Sequence, residues 1–582
     1  MILTKLKEYA DTRMALPPPM YGETKVAWLI HLDLEGHFEG WTCLKGTKQT
    51  KRGTPMTTPH IGRTVAVKPK LLADTGEYVL GIGRPKTKPE RVQDCHAQFK
   101  ALVQACAEAT QEPTVKAIAI FLDSEKELQG AIADLYDRHP DFDPSEVITF
   151  QVAETIPADS RENLVSVQHF WADYTASGGA ADTTDAGPIM TCLVTGKTGL
   201  VEQRLPFLVK GLIGGQPGGT ALVSANADPF TSYGLKNSLT SPICRDAAEG
   251  FAKALSHLIA TPDTRLDIGT TTYVFWTRQP TEFNAFSFLS DPEPQAVKNL
   301  LASPLTTQGL QGVDDANDFY ALALTTSNAR AVVRDWLETT IPAVQHHLQR
   351  WFTAQHVVDA YGDPGWPLGV NALAASAYRD ANKEMQPMVP TALVRVALRG
   401  GRLPDDLLAR VVRRNRVERN VTYPRAALIK LILTTQHYIP MTETESLATL
   451  NPEPNLTDPD DRAAYHCGRL LAELEAIQRA AIGKVNASLT DRYYGAASST
   501  PAIAFAPLLR GVRSHLAKLR NKVPGTCYAL EERLESIMAE LSEFPPTLSM
   551  HHQSLFALGY YHQRAHNRAA AKAAKQAKST QE

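Results

Sequence analysis

The chain has 582 residues, 43% hydrophobic and 21% charged, which is apolar surface for more than one core and excludes a wholly disordered protein. With 60 Lys and Arg against 62 Asp and Glu, the formal charge of −2 excludes a uniformly basic coat but leaves room for local basic patches. The seven cysteines are scattered and never spaced C-x-x-C, which argues against a disulfide framework or a thiolate zinc site and fits a reducing cytoplasm.

No window approaches the roughly 20 apolar residues of a membrane span, and MILTKLKEYADTRM lacks the apolar core and cleavage site of a signal peptide. A cytoplasmic protein without a membrane partner is expected. In chain order, KVAWLIHLDLEGHFEGWTCL (25–44) predicts a hairpin reversing at Glu35-Gly36. GEYVLGIG predicts a short strand, RVQDCHAQFKALVQACAEA an amphipathic helix, and TVKAIAIFLD and VITFQV buried strands around a helix at EKELQGAIADLYDRH. The small, polar run 176–187 predicts a flexible linker. Strands are expected at MTCLV, TTYVFW and DFYALAL, and helices at DAAEGFAKALSHLIA and over the whole of NARAVVRDWLETTIPAVQHHLQRWF.

From about Pro390 the strand signals stop. Leu470, Leu471, Leu474, Ile477, Ala481, Ile482 and Val485 form one apolar stripe, preceded by Asp458-Pro459 as N-cap and first helical residue. Two more stripes follow, Leu508–Leu519 and Leu530–Leu541, and a fourth helix begins near Leu548. The fold class expected is α+β: a large mixed α/β N-terminal region followed by an all-α, four-helix-like bundle. Its parts are 1–175 with a basic arm 44–70, a central α+β region 188–400 with a glycine-rich turn 211–219, a basic helical connector 401–440, and the bundle 441–582.

Catalytic patterns fail on their spacing. VTGKTG (194–199) lacks the leading glycine of a phosphate-binding loop, since position 191 is Thr. HQRAH sets His562 and His566 at helical spacing but carries Gln563 where a zinc protease has glutamate. DDAND (314–318) is one acidic run, not carboxylates converging from several elements. No catalytic residue, metal or cofactor is expected.

Three stretches instead suit polyanions. Residues 44–70 hold Lys45, Lys48, Lys51, Arg52, Arg63, Lys68 and Lys70 without one Asp or Glu. Gly53, Pro55, Pro59 and Gly62 predict an extended arm, and each cation that neutralises a phosphate releases a counterion, giving salt-sensitive attachment. The run 210–234 carries Gly214-Gly215 and Gly218-Gly219. These fit a hairpin turn of positive φ, or a bare backbone approaching a phosphate or groove, with Lys210, Ser224, Asn226, Ser232, Tyr233 and Asn237 able to make polar contacts. In 410–430, Arg410, Arg413, Arg414, Arg416, Arg419, Arg425 and Lys430 face a single acid, Glu418, which reads as a solvated helix face or a phosphate contact.

Longer segments carry a family resemblance: LPPPMYG, GRTVAVKPKLLADTGEYVLG, CLVTGKTGLV, KGLIGGQPGGTALVSANADPFTSYG, FYALALTTSNARAVVRDW, RAALIKLIL, YHCGRLLAELEAIQRAAIGKVNASLTDRYYGAASSTPA and FALGYYHQRAH. Through them the chain resembles, end to end, the large subunit of the type I-C CRISPR surveillance complex, Cascade, a Csd-type CRISPR-associated protein. The resemblance implies a non-catalytic subunit that sits beside the 5′ end of the guide RNA (crRNA), recognises a PAM in target double-stranded DNA and recruits a helicase–nuclease. It also implies partnership with backbone and guide-end-capping subunits, and with a small subunit (441–582) made from the same gene by internal initiation at Met441. A metal-dependent nuclease or other phosphate-handling enzyme and a protein-only assembly adaptor are the alternatives.

Overall fold

The structure is a computed structural model and describes residues 2–14, 18, 20–46, 50–61, 67–85, 87–176, 188–205, 207–302, 317–437, 456–483 and 485–579. The fold is α+β, with mixed sheets in the N-terminal region and helices at the C-terminus. The chain divides into two compact units, 1–209 with 221–256, and 210–220 with 257–582. Lys48, Arg63, Met441 and the run 177–187 lie outside the described residues.

In the first unit, α1 (Ile2–Arg13) precedes β1 (Tyr21–Leu32), which forms the expected hairpin with β2 (Phe38–Cys43) through Gly36 at φ 85. β3 (Thr54–Pro59) pairs antiparallel with β1, from Tyr21↔Pro59 to Val26↔Thr54. β4 (Ala73–Thr75) pairs antiparallel with β5 (Val147–Val152), and β5 runs parallel to β1, making a five-stranded mixed sheet. Between β4 and β5 come α2 (Gly76–Val79), α3 (Pro89–Thr110), α4 (Pro113–Asp123) and α5 (Glu125–Arg138). Phe99, Leu102, Ile118 and Phe121 from these helices share a core with Trp28, Ile30 and Phe150 of the sheet. α6 (Val165–Ala176), β6 (Ile189–Thr191), β7 (Thr198–Leu200) and α7 (Arg245–Ala260) follow.

Several expectations change. TVKAIAIFLD is helical, as α4: Pro113 starts it, and Lys116 and Ile120, one turn apart, face solvent while Val115, Ile118 and Leu122 are buried. An unbroken apolar run satisfies a strand or a helix equally, and its β-branched residues misdirect the reading. GEYV is the helical turn α2, not a strand; the ladder with β5 ends at Thr75, and Leu80 and Ile82 donate back to the Gly76 carbonyl. The MTCLV strand stops at Thr191, and the VTGKTG run spans the turn after β6 and the first two residues of β7, so a strand and not a helix follows its glycine and lysine.

The second unit opens with the hairpin β8 (Arg265–Ile268) and β9 (Thr271–Thr277), then α8 (Ala285–Ser290), α9 (Pro294–Ala302), β10 (Asp318–Ser327) and β11 (Arg330–Thr340). The sheet order is β11-β10-β9-β8, antiparallel throughout. The long helix expected over 328–352 is therefore half strand: Asn328 at φ 54 reverses β10 into β11, and the helix α10 (Ile341–Gln355) starts only at Pro342 in its first turn. Then follow α11 (Val370–Ser376), α12 (Ala381–Glu384), α13 (Met388–Arg399), α14 (Asp405–Glu418) and α15 (Tyr423–Thr435).

The C-terminal bundle has five helices among the described residues, not four: α16 (Pro459–Ile482), α17 (Leu489–Ala497), α18 (Pro501–Lys522), α19 (Pro524–Ala539) and α20 (Met550–Ser579). The Asp458 side chain caps α16 by accepting from the amides of Asp460 and Asp461, as its sequence predicts. The extra helix, α17, starts at a capping box of Ser488 and Asp491. At the bundle's centre α16 and α20 pack backbone to backbone. A Cβ added at Gly468 would lie 1.9 Å from the Phe556 carbonyl oxygen, and one at Gly559 would lie 2.0 Å from that of Tyr465. One hydrophobic core runs from Ile268 of β8 through α10–α15 to Tyr561 of α20.

Candidate nucleic-acid interface

The basic arm is part of the first unit's sheet. Gly53, at φ 110, lets the backbone pass against β1, where an added Cβ would meet the Val26 carbonyl oxygen at 2.2 Å. The turn before it presents Lys51 and Arg52 to solvent, with no ionic partner among the described residues. Lys45 differs: its ammonium lies 2.7 Å from Glu146 Oε1 and 4.8 Å from the centre of the Trp28 ring, so a carboxylate from the distant start of β5 neutralises it. The Lys68 amide donates to the Tyr78 hydroxyl and the Lys70 amide to Asp74, while the Lys70 ammonium lies 3.5 Å from His60 Nδ1. Both backbones are thus fixed from outside the arm.

The glycine-rich run falls into two parts. Lys210 and Gly214, Gly215, Gly218 and Gly219 belong to the second unit, and Ser224, Asn226, Ser232, Tyr233 and Asn237 to the first. The glycines form two successive tight turns, closed by Gly215 N–H to Leu212 and Gly219 N–H to Gln216. Gly214 (φ 70) and Gly215 are needed for packing, because added Cβ atoms would meet Thr326 Oγ1 at 2.9 Å and Thr220 Oγ1 at 2.6 Å. Thr326, at the end of β10, donates to the Ile213 carbonyl and anchors the first turn. At Gly218 a Cβ would meet nothing within 4 Å, so this backbone is open. In the other part, Ser232 and Leu235 bridge a turn whose central residues, Tyr233 and Gly234, have φ 51 and 75. That left-handed pair holds Tyr233 fully exposed, a ring free to stack or wedge.

The arginine stretch separates by face. On α14, Arg413 and Arg416 are exposed, whereas Arg410 lies 5.2 Å over the Tyr378 ring and Arg414 pairs with Glu418. Arg425, on α15, is buried; it pairs with Glu418 and donates to the carbonyls of Ser376 and Asn420. Lys430 donates to the His356 carbonyl at 2.7 Å. Arg425 and Lys430 are structural.

A further cationic surface escapes the sequence reading. α18 contains no Asp or Glu, and opposite its buried stripe of Phe505, Val512 and Leu519 it exposes Arg510, Arg513, Lys518 and Lys522. None of the four has an ionic partner among the described residues, whereas neighbouring Arg520 reaches Glu531 at 2.5 Å. The clue is the absence of acids over 501–522, overshadowed by the apolar periodicity. The histidines of HQRAH divide: His562 is buried with Nδ1 2.8 Å from the Tyr465 hydroxyl, and His566 is exposed.

The family model described as CRISPR-associated protein (Cas_Csd1) matches residues 3–567. No curated protein matches the chain at a significant level. Since the match runs over nearly the whole length, from α1 into α20, the chain belongs to the Csd1 family of CRISPR-associated proteins.

Proposed function

We propose that this Csd1-family chain is the non-catalytic large subunit of a type I-C, RNA-guided DNA-targeting complex. In this role it recognises the PAM and the target duplex, contacts the 5′ region of the guide RNA and recruits the helicase–nuclease. The observation that carries the reading is the set of exposed cations without carboxylate partners among the described residues: Lys51 and Arg52, Arg413 and Arg416, and the face of α18. Cations placed this way attract the phosphate backbone without reading sequence, while base pairing with the guide supplies specificity. Tyr233 on its tight turn and the open backbone at Gly218 are the features suited to entering a groove.

The reading is tested in the assembled complex by replacing Lys51 and Arg52, or Arg510, Arg513 and Lys518, with alanine. Each phosphate that is no longer neutralised lowers the slope of log K against log[salt] by about 0.9. Unchanged target binding and slope in both variants would remove this interface. Incubating the purified chain with Mg²⁺ or Mn²⁺ and DNA checks the non-catalytic assignment; cleavage would favour the nuclease alternative. The proposed small subunit predicts a 441–582 fragment that co-purifies with the full chain and disappears with Met441→Leu, read by mass spectrometry.

A further inference from the structure

The first turns of α16 and α20 meet at three metal-ligating side chains that the nucleic-acid reading does not use. Asp461 comes from α16, and His551 and His552 from α20. One ligand atom from each lies within 4.8 Å of the other two. His551 Nε2 is 2.7 Å from Asp461 Oδ1, and His552 Nε2 is 3.4 Å from the same oxygen. The side chains are 14–24% exposed, partly shielded from solvent.

The two distances differ in meaning. The first is a good hydrogen bond, whereas 3.4 Å exceeds the usual range of about 2.7–3.2 Å for an N–H···O bond. Two ligands on one tetrahedral ion, with bonds of about 2.0–2.1 Å, stand about 3.3–3.4 Å apart. His552 therefore already sits at ligand spacing from Asp461, and His551 reaches it by opening about 0.6 Å along its hydrogen bond. Arg462, which follows Asp461 in α16, is engaged with Glu540 at 2.5 Å. Two imidazoles and one carboxylate suit a borderline divalent transition ion; Mg²⁺ and Ca²⁺ prefer all-oxygen shells.

We propose that Asp461, His551 and His552 bind one Zn²⁺-class ion, with water completing the shell, and that the ion clasps the N-terminal turns of α16 and α20. The site is independent of the DNA-binding reading. The test takes the full chain, stripped with a chelator, and titrates it with ZnCl₂, CoCl₂ and MgCl₂ while following calorimetry and thermal unfolding. Expected are one tight zinc and cobalt site, a melting temperature raised by several degrees at saturating zinc, and no response to Mg²⁺. Asp461→Asn and His552→Ala should each weaken zinc binding at least tenfold, with folding checked by circular dichroism. Equal zinc affinity in wild type and both variants would place the ion elsewhere and overturn the proposal. So would a melting temperature that the substitutions lower but zinc leaves unmoved, because that is the signature of a plain His–Asp ion pair.

Discussion

Arg413 and Arg425 belong to one arginine-rich stretch but have opposite surroundings. Arg425 is 6% exposed and makes its hydrogen bonds inside the second unit, to Glu418 and to the carbonyls of Ser376 and Asn420. Removing it strands these acceptors, so Arg425→Ala should cost about 2–4 kcal/mol of stability in urea unfolding. Arg413→Ala, at an exposed site, should change stability by less than about 0.5 kcal/mol and act only on DNA affinity. Two buried cysteines, Cys192 and Cys106, divide by their hydrogen bonds instead. Burial pushes the Cys192 thiol up, but hydrogen bonds from the Cys244 amide, just before α7, and from Thr195 and Val194 outweigh it and bring the thiol down to about 7 from 9.0. The fold thus favours the thiolate, and this contribution to stability is complete above pH 9 and lost as pH falls through about 7. The ultraviolet absorbance of the thiolate, which needs no access to the buried sulfur, should rise with a midpoint near pH 7 and lose that step in Cys192→Ser. Cys106, whose thiol burial pushes up to about 12, should stay protonated there and add nothing to that step.

Among the secondary-structure elements, the packing of α16 on α20 rests on two missing side chains. Gly468→Ala and Gly559→Ala gain helix propensity but drive a methyl into a carbonyl oxygen across the interface, at 1.9 and 2.0 Å. Backbone cannot yield as a flexible side chain does, so each substitution should destabilise by about 1–3 kcal/mol or more. Gly511→Ala, on α18 with nothing within 4 Å of the added Cβ, is the control and should stabilise by up to about 1 kcal/mol. Parallel urea titrations of the three variants check the contrast. Beside these glycines the fully buried Glu473 accepts from Arg533, Gln563 and Asn567, so its charge is compensated on three sides.

Across the second unit as a whole, α20 faces two ways. One side packs on α16, and the other is held by residues outside the bundle. Tyr561 donates to the Val358 carbonyl, Arg564 to Asn420, Arg568 to the Ala360 carbonyl, and Lys572 pairs with Asp363 at 2.7 Å. A separate 441–582 product would lack all four partners: Arg568 and Lys572 would lose the Ala360 carbonyl and Asp363, and Arg564 would lose Asn420 while keeping Tyr560. Replacing Arg564, Arg568 and Lys572 with alanine should then lower the fragment's salt slope for DNA by about 2–3. The same substitutions in the full chain, where these cations are engaged, should leave the slope unchanged.

Features confined to one turn of helix or one hairpin are legible in the residues alone. The stripe of α16 from Leu470 to Ala481 and its cap, the reversal at Gly36 and the carboxylate-free runs all depend on residues a few positions apart, whereas Ile482, expected in the stripe, is exposed and Val485 lies past the helix end. α4 misleads even so, because a short apolar run carries no period of its own and takes the form its neighbours pack against, and β11 misleads because its pairing with β10 beyond the reversal at Asn328 decides its form. Only packing in three dimensions settles which cations remain available. Lys45 is neutralised by a carboxylate 101 residues away, and Arg425 is buried beside Glu418, while Lys51, Arg413 and the α18 face stay in solvent. Packing also brings Cys192 to Cys244 and Asp461 to His551 and His552 across long stretches of chain. Charge and metal-ligand chemistry act over a few ångströms of space, and distance along the sequence says little about them.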